Sequence, residues 1–339
     1  AAAPTEAKTA IPISGGRLAL LVSGAALATA SLTVLLVPGA RKASVFAIIV
    51  LAVAAYAPNY LLRAHLAGNQ RFGLYGGLVA AETAARLLAL AVVLAVTGTS
   101  VEGFLLATAI GPLMAATLFG GIIVKLHFVS AADQIPLTSI GALGAANFAL
   151  IGFLNIGPAI VTARGAEIAA AGVCLGFLIV RIPLFMFQSI TATLLPNASR
   201  LIAEDGREHA WRVMRRGAAT LIAGLALLSI PAALIGPPVL RLFFGSDGGL
   251  DMIDILVLAL GMSLTLGGLV LQQFHVAAHD EMRVLFGWMA ALAVLVVLGF
   301  IVTDPGWGVE VGFLIGGAAA AVLLLRPNRS TIESSRGTR

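Results

Sequence analysis

The chain has 339 residues, 59% of them hydrophobic and only 11% charged, with a formal net charge of +5 and a mean hydropathy of +1.01. A soluble domain carries about a quarter charged residues, so this composition excludes a water-soluble globule, and the length excludes a single-span anchor. Three Trp and three Tyr are too few for the aromatic girdles of a membrane β-barrel, and the long unbroken apolar runs define an all-α polytopic membrane protein.

Residues 1–17 form a cytoplasmic N-terminal segment without the apolar core of a signal peptide. Ten spans follow, at 18–37, 44–62, 72–97, 102–124, 138–163, 167–195, 217–236, 253–273, 283–303 and 308–325. Each is long enough for about 30 Å of hydrocarbon. With this count, fifteen Lys and Arg fall on the side of the N-terminus and four on the other, while Arg86 and Arg181 lie within spans. The asymmetry places both termini in the cytoplasm. The stretch from Pro196 to Arg216 reads as a short amphipathic helix on the membrane surface, with Leu201, Ile202, Trp211 and Val213 turned to the interface.

Prolines 58, 112, 158, 183 and 231 fall within spans and are expected to kink them. Kinked and broken helices are common where transporters bind substrate. The pairs Gly73 and Gly77, Gly172 and Gly176, and Gly312 and Gly316 have the spacing of close helix contacts.

Charge at membrane depth is costly and faces protein or a wet cavity. Arg181 lies near the middle of the sixth span, and Glu82 and Arg86 share one face of the third. A planar guanidinium suits an anionic substrate such as a phosphate or diphosphate; a structural partner for a carbonyl or carboxylate is the other reading. Glu82 and Arg86 can pin helices by neutralising each other. Glu82 is also the natural titrating group if transport is coupled to protons. Asn59, Asn147, Asn155 and Gln188 suit sugar hydroxyls across a cavity and equally suit helix-to-helix bonds.

No P-loop and no HExxH motif is present, and no enzyme activity, cofactor, metal or nucleic-acid partner is expected. His275, His279, Asp280 and Glu281 have the look of a ligand set, but they fall at a span end and read as a solvated loop start. Cys174 stands alone in an apolar run, and Asp247, Asp251 and Asp254 read as a turn and helix start.

The segment NIGPAIVTARGAEIAAAGVCLGFLIVRIPLFMFQSITATLLPNASR, from Asn155 to Arg200, resembles bacterial polysaccharide flippases. These are the O-antigen and teichoic-acid type exporters of the multidrug, oligosaccharidyl-lipid and polysaccharide exporter superfamily. Asn155, Ala171, Gly172, Arg181, Pro183, Pro196, Ser199 and Arg200 carry the likeness, as do Arg63, Gly68, Arg71, Phe72, Tyr75, Glu82 and Arg86 in an earlier stretch, and RLFFG at 241–245. Where such proteins often have an Asp after the Asn, this chain has Ile156-Gly157-Pro158.

The resemblance implies a two-lobed exporter fold. Residues 18–137 would be a partial first lobe of four spans, 138–326 a complete second lobe of six, and 327–339 a cytoplasmic tail. The chain then looks like a twelve-helix flippase without its first two spans. The implied activity is alternating-access export of undecaprenyl diphosphate-linked oligosaccharide across the bacterial cytoplasmic membrane for cell-surface polysaccharide biosynthesis. Arg181 and Arg86 would attract the diphosphate, and Asn155, Asn147, Gln188 and Asn59 would line the substrate path. Implied partners are the lipid-linked oligosaccharide, membrane lipids, and a polysaccharide polymerase and glycosyltransferases. A multidrug extrusion-type cation antiporter and a transport-inactive scaffold of a polysaccharide assembly complex are the alternatives.

Overall fold

The computed structural model describes residues 43–69, 71–98, 100–118, 137–245 and 249–326; the expected span at 18–37 and the two terminal segments lie outside them. The regular elements among these residues are all helices: α1 (Ala43–Gly68), α2 (Phe72–Thr97), α3 (Val101–Leu118), α4 (Leu137–Asn155), α5 (Gly157–Ala163), α6 (Glu167–Val180), α7 (Ile182–Asp205), α8 (Arg207–Phe244), α9 (Met252–Ala277), α10 (Glu281–Ile301) and α11 (Pro305–Leu324). Among the described residues eight helical stretches are long and apolar enough to cross a membrane, one of them, Ile168–Phe187, running through the junction of α6 and α7. In α3 the apolar part, Glu102–Ala115, is shorter than a span. The helices fall into two compact units, one on each side of the Ile135–Pro136 bond.

In the first unit α3 packs on both α1 and α2, which touch each other little. Leu62 and Leu66 of α1, Leu78 of α2 and Ala115 of α3 are fully buried together.

The second unit is built around α9, which packs on α6, α7, α8, α10 and α11. Its start is fixed by a reciprocal cap: Asp251 Oδ1 accepts from the N–H groups of Ile253 (2.7 Å) and Asp254 (3.0 Å), and Asp254 Oδ2 accepts from Asp251 N–H (2.7 Å). At the start of α11, Asp304 accepts from Trp307 N–H at 3.0 Å and Pro305 needs no donor. The core is an aromatic chain. Phe313 stacks on Phe153 with centroids 4.8 Å apart and meets the Phe177 ring edge-on at 4.8 Å, and Trp288 lies 6.3 Å from Phe153. The Trp288 indole N–H, buried in this core, is satisfied by Gln272 Oε1 at 2.6 Å.

Close approach is made possible by glycine. A Cβ on Gly316 would stand 2.6 Å from Phe153 Cε2, one on Gly312 3.1 Å from the Leu295 backbone, and one on Gly176 2.7 Å from Leu258. Gly73 and Gly77 differ from that expectation, because a Cβ on either meets nothing within 4 Å.

Two of the prolines expected to kink spans instead mark helix starts. Pro158 is the second residue of α5 and Pro183 the second of α7. At that position the missing N–H is not needed by the new helix, and it is withheld from the old one. Pro58, Pro112 and Pro231 lie inside α1, α3 and α8.

The stretch 196–216 is not a separate surface helix. It is the end of α7 and the beginning of α8, which meet at Gly206 with φ 82°, a left-handed conformation that glycine adopts without strain. Trp211 is turned inward, 7% exposed and 5.0 Å from the Phe274 ring, whereas Val213 remains exposed. An amphipathic stripe does not distinguish a membrane surface from a protein core.

Candidate functional site

Two helices of the second unit are interrupted at neighbouring points. The α4 helix ends at Asn155 and resumes at Gly157, and α6 ends at Val180 and resumes as α7 at Ile182, with Arg181 between them. Arg181 Nη1 donates to Asn155 Oδ1 at 3.2 Å, while Asn155 Nδ2 donates to the Ile151 carbonyl at 2.7 Å. The guanidinium carbon stands 5.2 Å from the centroid of Phe177, one end of the aromatic core, within cation–π range. Among the described residues no carboxylate pairs with Arg181, and its buried Nε has no hydrogen-bond partner. Asn147 lies two turns before Asn155 on the same exposed face of α4. The junction is tightly packed behind, since a Cβ on Gly157 would stand 2.7 Å from Val309 and 3.0 Å from Phe177.

Beside this junction is an apolar cavity of about 230 Å³, lined by Val180, Ile182, Pro183, Leu228, Met262 and their neighbours. The two serines in its wall, Ser229 and Ser263, donate to carbonyls of their own helices at 2.9 and 2.8 Å. The cavity therefore offers hydrocarbon contacts next to a cation without a carboxylate.

The first unit holds a second polar cluster. Glu82 of α2 is 2% exposed. Its Oε1 accepts from Arg86, and its Oε2 accepts from Arg63 and, at 2.8 Å, from Asn59 Nδ2. Arg63 Nε also donates to Asn59 Oδ1 at 2.9 Å, and Arg86 donates to the Tyr56 hydroxyl. Each guanidinium lies 5.4 Å from a tyrosine ring, Arg63 over Tyr60 and Arg86 over Tyr56. One carboxylate against two guanidiniums leaves a net positive charge. The stem of Arg86 occupies the space above Gly111 of α3, where a Cβ would stand 2.3 Å from its Cγ.

Of the residues singled out from sequence, Asn59, Glu82 and Arg86 thus meet in one unit and Asn155 and Arg181 in the other. The Gln188 side chain lies outside the described residues. Arg63, counted as a loop cation because the span was ended at residue 62, is instead on α1, one turn beyond Asn59. Glu310 of α11, not singled out from sequence, is a second carboxylate buried in a span, 2% exposed as well. His275 is not in a solvated loop: it is 1% exposed and its Nε2 lies 2.8 Å from the Leu324 carbonyl. No group of three metal-ligating side chains exists among the described residues.

No protein-family model and no curated protein sequence matches the chain. Solved structures do. An outward-facing multidrug resistance MATE family transporter of the MOP superfamily is similar with a TM-score of 0.61 at 16% identity, over 95% of this chain and 78% of that one. A mutant of the Vibrio cholerae MATE transporter VcmN gives 0.63 at 15% identity, over 96% and 77%. A further MATE mutant gives 0.61 at 16%, over 95% and 78%. The chain is therefore a multi-helix membrane protein with the α-helical fold of these transporters.

Proposed function

We propose that the chain is an exporter of an anionic amphiphile, namely an undecaprenyl diphosphate-linked oligosaccharide, which it carries across the bacterial cytoplasmic membrane by alternating access with both termini inside. The observation that carries this reading is Arg181: a cation at an interrupted helix, without a carboxylate partner among the described residues and next to an apolar cavity. A guanidinium so placed can donate twice to a diphosphate, while Asn155 and Asn147 offer amide groups to the glycan. In the first unit Arg86 supplies a second positive group. Glu82 holds both arginines in place there, and a proton-coupling role for it requires those two guanidiniums to let go.

The fold likeness to multidrug transporters favours a second reading, efflux of a cationic drug. Proteoliposomes distinguish the two. The first reading expects ATP-independent flipping of a fluorescent polyprenyl diphosphate-linked sugar that Arg181→Ala abolishes. Efflux of an organic cation without any flipping establishes the second.

A further inference from the structure

The first turns of α8 carry two opposite faces. Ala210, Trp211, Met214 and Ala218 are buried in the core of the second unit, with Trp211 5.0 Å from the Phe274 ring. Arg207 adds a tie, donating from Nη2 to the Ala278 carbonyl at 2.7 Å. This end of α8 is therefore held firmly against α9. Arg212, Arg215 and Arg216 are exposed on the other side. Positions i, i+3 and i+4 share one helix face, so the three guanidiniums form a single patch turned away from the unit. The exposed Val213 borders it. None of the three enters an ion pair with a described residue, whereas Arg200 of α7 lies 4.0 Å from Glu204.

Charge is sorted along this elbow. The carboxylates of Glu204, Asp205 and Glu208 cluster at the Gly206 turn, and the three arginines follow roughly 9–15 Å further along α8. From Gly217 to Leu240 no charged residue occurs. That stretch is about 36 Å long, enough to cover about 30 Å of hydrocarbon. The patch stands where the apolar stretch begins, at the depth of lipid headgroups. A guanidinium donates in pairs to phosphate oxygens, and its alkyl stem lies along apolar surface while the charged head stays outside. An anionic bilayer surface matches the patch in charge, in depth and in its apolar border.

We propose that Arg212, Arg215 and Arg216 bind the phosphate-bearing headgroups of anionic phospholipids and so dock the start of α8 onto the bilayer surface. The attraction is electrostatic, adds about fivefold in affinity per arginine, and weakens as salt is raised. Because the opposite face is packed in the core, the headgroup contact bears on the folded unit and raises its stability.

The test takes the full chain in a neutral detergent, titrates it with short-chain phosphatidylglycerol or phosphatidylcholine, and counts bound lipid by native mass spectrometry. No export substrate is needed, so failure of the export reading does not affect it. Phosphatidylglycerol should bind on the order of tenfold more tightly than phosphatidylcholine and should raise the melting temperature. Arg212→Gln, Arg215→Gln and Arg216→Gln should each weaken that preference, and the triple glutamine chain should abolish it. The triple lysine chain should keep most of it, because the charge is retained, and Arg200→Gln should leave it unchanged. A triple glutamine chain with full preference overturns the proposal, as does equal loss in Arg200→Gln. Release of bound phosphatidylglycerol by inorganic phosphate also overturns it, since the patch is then a site for free anions. Where the triple chain does not fold, the three single variants decide, and unchanged affinity in all of them overturns the proposal.

Discussion

Arg181 reaches back from the start of α7 to Asn155, the last residue of α4, so a single 3.2 Å hydrogen bond joins the interruptions of two helices. Neither residue spends this bond on its own element, and the buried Nε of the guanidinium has no partner. Arg181→Lys should retain the charge but lose the forked geometry, leaving flipping at a small fraction of the unaltered rate. Asn155→Ala should weaken substrate affinity with less effect on turnover. Both variants should keep the unaltered melting temperature, measured in detergent.

Glu82→Gln should destabilise the first unit. Removing one partner of a buried ion pair costs on the order of 3–5 kcal/mol, and the 36% exposure of the Arg86 side chain places this case at the low end. The double variant Glu82→Gln with Arg86→Gln should recover part of the loss, because one of the stranded charges is gone. Thermal unfolding of the three proteins checks the order.

Gly111→Ala should act like loss of Arg86. The added methyl would lie 2.3 Å from Arg86 Cγ and 3.0 Å from Nε, so the stem must swing away and its bonds to Glu82 and Tyr56 break. Equal export defects in Gly111→Ala and Arg86→Ala, with no further loss when combined, are the expected result.

Phe313→Ala should be the most damaging single core change in the second unit. The ring touches Phe153 on one side and Phe177 on the other, and emptying such a site costs about 3–5 kcal/mol. Because Phe177 also supports Arg181, export should fall further than the loss of folded protein explains.

The sequence made the class, the helix order and the deep charges legible, because hydropathy and charge spacing need no knowledge of tertiary contacts. It located Arg181 and Asn155 correctly as polar groups in apolar stretches. Their bond was not readable, since Pro158 and Pro183 look alike whether they kink a helix or start one. Arg63 was misplaced because a charge was used to end a span, although a helix carries its arginine onward when a glutamate waits on the next helix. Trp211 was turned the wrong way because its stripe fits lipid and protein equally. Glu310 was passed over because it stood two residues inside the assumed start of its span, where a carboxylate is unremarkable.

Gly206 separates two long helices, and one of them begins at Arg181. From that junction α7 runs 24 residues to Asp205, about 36 Å, longer than the hydrocarbon thickness of about 30 Å. It is a lever that starts at Arg181 and ends at the exposed Asp205. A spectroscopic label on the exposed Glu204 or Asp205 reports tilting at Arg181 while touching nothing in the site. Movement at the junction thus becomes measurable from a remote, exposed position.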